Sequence, residues 1–140
     1  MNKDTSLNTT LLDTDYVLVT YDMTSKILAI IWKGKLTSEQ YRHTYIKSLE
    51  FSEDHKVEGF MVDISNQKRV SAADKRWFDD TVLPNANTVG LKKACVVYDG
   101  NLFREYYLTH AVKRAKKYPI PYMYFKSRRR AMEWLLEGKG

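Results

Sequence analysis

The amino-acid sequence predicts an α/β fold: a single mixed, mostly parallel five-stranded sheet with helices packed on it. Three observations carry that expectation. Short apolar runs rich in β-branched residues recur along the chain, at 16–22, 26–33, 57–64, 91–98 and 121–125. From the second run onward, each gap holds a stretch whose apolar residues are spaced by three and four, the helical period. The first two runs are separated by only the polar segment 22–25, which suits an antiparallel hairpin. The resulting order is β-β-α-β-α-β-α-β-α. Strands joined through helices pair in parallel, and the opening hairpin adds an antiparallel edge.

Residues 1–14 are polar and are expected to form a flexible N-terminal tail, with 15–140 as the single folded domain. The tail has no apolar core of the kind a secretory signal needs, so a cytoplasmic location is expected. Val17 and Val19 alternate with Tyr16, Leu18 and Thr20 in the first strand. The second, KILAIIWK, ends at Gly34. Thr37 followed by Gln40 is a capping-box pattern, and Tyr41, Tyr45 and Leu49 place one apolar stripe on the helix it starts. The run VEGFMVDI is a buried strand. Ser71, with Asp74 three residues on, caps a helix that carries Trp77, Phe78 and Val82 and is expected to stop at Pro84. LKKACVVY is the next strand, and 101–117 a long helix with Leu108, Ala111, Val112 and Ala115 inward. PYMYF reads as an edge strand because of its proline. Ser127 caps a last helix whose Ala131, Trp134 and Leu135 face inward.

A chain of 140 residues suits one domain, and 44% hydrophobic with 29% charged residues is an ordinary globular composition. The net charge of +6 is concentrated late in the chain, from Lys113 to Arg130. Such a surplus favours anionic partners. The single cysteine, Cys95, permits no intrachain disulfide, which fits a reducing compartment. No apolar run approaches the length of a membrane span.

The sequence shows no catalytic constellation, and the chain is read as not an enzyme. Its six glycines form neither GxGxxG nor GxxxxGK, and GxSxG is absent. His43, His55 and His110 fall in separate elements without metal-ligand spacing, so neither a cofactor nor a metal is expected. Cys95, in mid-strand, reads as a small hydrophobe. No RNA- or DNA-reading motif is present, and no specific nucleic acid is expected.

Two groups of residues stand out as candidate sites. Asp63 ends the central strand, where open α/β sheets place ligand crevices, although such a residue also serves as a loop cap. With Ser71 and Trp77 it marks one ligand or anion candidate. Ser127, Arg128 and Arg129 mark another, since an uncovered helix start with arginines can hold an anion. Phe103, Tyr106, Tyr107, His110 and Arg114 recur along a second face of the long helix. A wide core stripe would absorb them; otherwise they form an interface for self-association or for a partner protein.

The opening hairpin, VDIS at 62–65, the Trp77-bearing helix after it, and the closing pattern Ala131, Trp134, Leu135 together resemble SpoIIAA-like domains. These are related to the STAS fold and to the lipid-binding CRAL-TRIO domain. The resemblance covers about residues 15–137. In the bacterial anti-sigma-factor antagonists of that group, the loop after the Asp-bearing strand leads to a phosphorylated serine within Asp-Ser-Gly or Asp-Ser-Ser-Gly. Here the corresponding stretch is Val70-Ser71-Ala72-Ala73-Asp74, without the Ser-Gly pair, and the phosphoswitch does not carry over. The resemblance implies a non-enzymatic regulatory or protein-interaction module. Its alternative implication is a carrier or sensor of a small apolar or anionic ligand.

Overall fold

A computed structural model describes residues 8–138. The expected mixed α/β sheet is present, with six strands rather than five, in the order β1-β2-β3-β4-β5-β6. The added strand is β1 (Asn8–Asp13), within the segment expected to be a flexible tail. Residues 1–7 of that tail lie outside the described residues. β1 pairs antiparallel with β2 (Val17–Asp22), through an irregularity between Thr10 and Leu12. Leu11 and Leu12 pack on the core edge, whereas Asn8, Thr9 and Thr10 are exposed. An edge strand with so few apolar residues carries no readable alternation. Its turn is held by Thr14 Oγ1, which accepts from the Tyr16 and Val17 N–H groups at 3.1 and 3.0 Å.

β2 pairs antiparallel with β3 (Ile27–Trp32). β3, β4 (Gly59–Asp63), β5 (Lys93–Val97) and β6 (Tyr122–Phe125) then run parallel. Registered partners share a face. Val17, Val19, Leu28, Ile30, Phe60 and Val62 form a front face with a large core. Ile27, Met61, Cys95 and Val97 form the back face.

The front face is covered by three helical segments. α1 (Ser38–Asp54) starts with the predicted capping box: Gln40 N–H donates to Thr37 Oγ1 and Thr37 N–H to Gln40 Oε1. Its buried stripe is Tyr41, Tyr45 and Leu49. Thr44, Ser48 and Ser52 are buried too, each donating its hydroxyl to the carbonyl four residues back at 2.8 Å. Next come α2 (Ala72–Trp77), a π-helical turn Phe78–Val82 and α3 (Leu83–Thr88), continuous in chain order. Pro84 does not stop this helix as expected. It sits in the first turn of α3, directly after a π turn closed by Leu83 N–H donating to Phe78 O. That wider turn relieves the clash a proline ring makes with the carbonyl four residues back. Gly90 follows the Val89 C-cap with φ +88°, a conformation that favours glycine. α4 (Leu102–Ala115) is capped by Asn101 and buries Leu108, Ala111 and Ala115.

α5 (Arg128–Leu136) covers the back face with Ala131 and Leu135. Gly59 makes the approach possible: a Cβ there would lie 3.3 Å from Leu135 Cδ2 and 3.4 Å from Ile27 Cγ1.

Candidate functional site

The C-terminal ends of the parallel strands are where open α/β sheets place their ligand crevices. After β4 the chain runs through 64–70 into α2. Ile64 N–H donates to Val97 O at 2.8 Å, Gln67 N–H to Ile64 O at 3.0 Å and Lys68 N–H to Gly34 O at 3.1 Å. The Arg104 guanidinium of α4 donates to the carbonyls of Ile64 and Gln67. One side chain thus ties the β4–α2 connection to the first turn of α4.

Ser71 Oγ caps α2 by accepting from Asp74 N–H at 3.1 Å. Asp74 is buried, accepting from Ser38 Oγ at 2.6 Å and Arg42 Nε at 2.9 Å, which docks α2 on the start of α1. Burial pushes the Asp74 carboxyl up. The Ser38, Arg42 and Ser71 hydrogen bonds and the Arg42 charge outweigh it and hold the group below the usual carboxylate range.

Between these segments and the front face lies an apolar cavity of about 80 Å³. Tyr41, Tyr45, Phe60, Phe78, Val82 and Tyr122 contribute to its walls. Ile64, Gln67, Val70, Lys75 and Tyr107 wall both this cavity and an outer cleft of about 550 Å³, and so form the neck between the two. The cleft adds Lys68, Arg69, Ser71, Ala72, Phe103 and Arg104. Four cations therefore surround one opening, and among the described residues no carboxylate forms an ion pair with any of them.

Lys75 is the cation at the neck. Its Nζ lies 4.4 Å from the centre of the Tyr107 ring, a cation–π contact. Burial, then the Arg104 and Arg69 charges, lower its pKa. The phenols move the other way. Burial raises Tyr41, Tyr45, Tyr107 and Tyr122, leaving neutral hydroxyl groups around the cavity. Cys95 lies on the other face of β5, under α5, where burial pushes its thiol up to about 12 and makes it a poor nucleophile at neutral pH.

The residues singled out from sequence fall in three places. Ser71 lines the cleft as a helix cap. Asp63 and Trp77 line neither volume. Asp63 is buried under α5, accepting from Ser65 N–H at 2.9 Å and from Arg128 Nε at 2.6 Å. Burial raises its pKa, but the Ser65 and Arg128 hydrogen bonds and the Arg128 charge hold it below the ordinary range. Trp77 packs near Tyr41 and Tyr45 and beneath the Arg42 guanidinium. At the start of α5, Ser127 Oγ accepts from Arg130 N–H, and Arg129 pairs with Glu133 at 2.9 Å. The anion candidate there is thus supplied internally, by Asp63 and Glu133.

The aromatic face of α4 divides. Tyr107 turns inward to the neck, and Arg114 pairs with Asp79 at 2.8 Å and lies over the Tyr107 ring. Phe103 and Tyr106 point outward, 87% and 71% exposed, with His110 against Tyr106 and Leu102 78% exposed beside them. Lys68, Arg69, Lys75 and Arg104 were not among the expected site residues. Among the described residues, no group of three or more His, Cys, Asp or Glu is placed to hold a metal, and no helix is long and apolar enough to cross a membrane.

No protein-family model and no curated protein matches the chain. Among solved structures, it is similar to an uncharacterized DUF3478-family protein with a SpoIIAA-like fold from Shewanella loihica PV-4. The TM-score is 0.61 at 20% identity, over 89% of this chain and 97% of that one. At that identity the likeness speaks to architecture: the chain is a domain of SpoIIAA-like fold.

Proposed function

We propose that this domain is a non-enzymatic binding module that carries or senses a small amphipathic anion. The observation that supports it is one arrangement: an apolar cavity joined through a neck to a cleft with four cations that, among the described residues, no carboxylate pairs. Apolar walls with a few convergent polar groups are the usual build of a small-molecule site. A basic mouth would attract an anion and orient it, apolar end inward. The titratable groups around the cavity are phenols raised by burial and one lysine, Lys75, with no His, Asp or Glu among the described wall residues to pair with them, which favours binding over catalysis.

The test is native mass spectrometry of the protein purified gently from its own host. A mass excess of ligand size that vanishes on denaturation is the expected result. An apo mass, with no change in melting temperature across a panel of small organic anions, removes the reading.

A second reading, a protein-interaction module, is favoured by the exposed Leu102, Phe103 and Tyr106. Its check is sedimentation velocity on the wild type and on Phe103→Ser with Tyr106→Ser. A concentration-dependent dimer lost in the variant identifies the partner as a second copy.

A further inference from the structure

Resting on that binding reading, the geometry points to a narrower ligand class: a compact organic anion with an arm of about four carbon atoms, its anionic head held at Lys75, and no long acyl chain. Volume sets the arm. A buried apolar cavity of about 150 Å³ holds benzene, and the cavity here is about 80 Å³. A chain of a dozen or more carbons does not fit inside this cavity unless the core opens.

The order of walls sets the polarity. Going outward, the ligand meets the aromatic and aliphatic residues of the cavity, then Lys75 at the neck, then Lys68, Arg69 and Arg104 in the cleft. Among the described residues, Lys75 is the one cation that belongs to both volumes. It is partly buried and opposed by two like charges, and its contact is a ring face rather than a carboxylate. An anion at the neck supplies the missing countercharge. Arg104 already donates to two carbonyls, so it acts as a positioning residue that fixes the loop and adds its charge to the field. The excess of cations over one suits a doubly charged head, such as a phosphate monoester, better than a single carboxylate.

The test is isothermal titration calorimetry with a fixed set of probes: n-butyl phosphate, inorganic phosphate, n-butanol, pentanoate and dodecyl phosphate. n-Butyl phosphate is expected to bind at least tenfold more tightly than inorganic phosphate or n-butanol, and more tightly than dodecyl phosphate. Lys75→Met is expected to weaken it tenfold or more. Pentanoate binding more tightly than butyl phosphate would keep the compact arm and overturn the doubly charged head. Dodecyl phosphate binding best would overturn the compact arm and leave the amphipathic-anion reading standing. Equal binding of inorganic and butyl phosphate would reduce the site to a surface anion patch and overturn the proposal. No binding by any probe, together with an apo mass from the host, would overturn both readings. A Lys75→Met variant with wild-type circular dichroism and melting cooperativity separates lost binding from lost folding.

Discussion

Asp63 and Asp74 are nearly buried carboxylates, each paired with an arginine that remains about half in solvent. Both are held below their ordinary pKa by the hydrogen bonds that tie one element to the next. A carboxyl whose native pKa lies below its unfolded value of about 3.9 adds stability above that value and loses it as pH falls through the native one. Asp74→Asn should therefore cost about 1–3 kcal/mol at pH 7, because the amide places a donor against Arg42 and gives up the charge. The gap to wild type should shrink once the pH drops below about 3.9. Urea midpoints at pH 7 and pH 3 measure both, and a gap that stays constant would mean the charge is not what matters. Lys75 has the opposite sign. A lysine with a lowered native pKa opposes folding while it is charged, and that cost fades as pH rises above the native value. Lys75→Met should raise the melting temperature of the ligand-free protein at pH 7, and the increment should narrow at pH 10. An unchanged or lower melting temperature would show that the cation–π contact with Tyr107 outweighs the repulsion.

At the scale of elements, α4 carries two faces whose energies should separate cleanly. Leu108 is 2% exposed and packs on β5, whereas Phe103 is 87% exposed. Leu108→Ala should cost about 2–4 kcal/mol, and Phe103→Ser less than about 0.5 kcal/mol, by chemical denaturation. A large cost for Phe103→Ser would mean that this side chain is covered in solution, by a second copy or by another segment. The same helix shows what sequence could and could not convey. Its inward face was legible because Leu108, Ala111 and Ala115 repeat at the helical period, and the capping residues Thr37, Ser71 and Ser127 marked the starts of α1, α2 and α5. β1 was not legible, since an edge strand with four exposed residues has no buried face to alternate with. The passage of the chain through Pro84 was not legible either, because a proline reads as a stop unless a π turn precedes it. The candidate site was hidden for a different reason. Lys68, Arg69, Lys75 and Arg104 come from two elements and a loop, and only the parallel crossover connections bring them to one opening with Tyr107. Asp63 had the position expected of a ligand residue, but the parity of β4 sends its side chain to the back face, where Arg128 takes it up.

For the whole molecule, the cavity beneath α2, the π turn and α3 sets stability against binding. Natural interiors are close-packed, so the walls of a cavity of about 80 Å³ between the sheet and its helices make fewer protein contacts than a packed core would. At about 24 cal/mol per Å³, filling it is worth at most about 2 kcal/mol. Ala86 is buried on the wall of this cavity, and leucine at that position adds bulk of about the right size. Ala86→Leu should therefore raise the stability of the ligand-free protein by about 1–2 kcal/mol. The same change should abolish the ligand-induced rise in melting temperature, which in the wild type grows with the logarithm of ligand concentration above Kd. The two readouts belong together, because one volume accounts for both. A variant that is stabilised and still binds would place the ligand wholly in the outer basic cleft. A variant that is destabilised by more than 1 kcal/mol would show that the helices around the π turn have already closed on the cavity in solution, and that binding must reopen it.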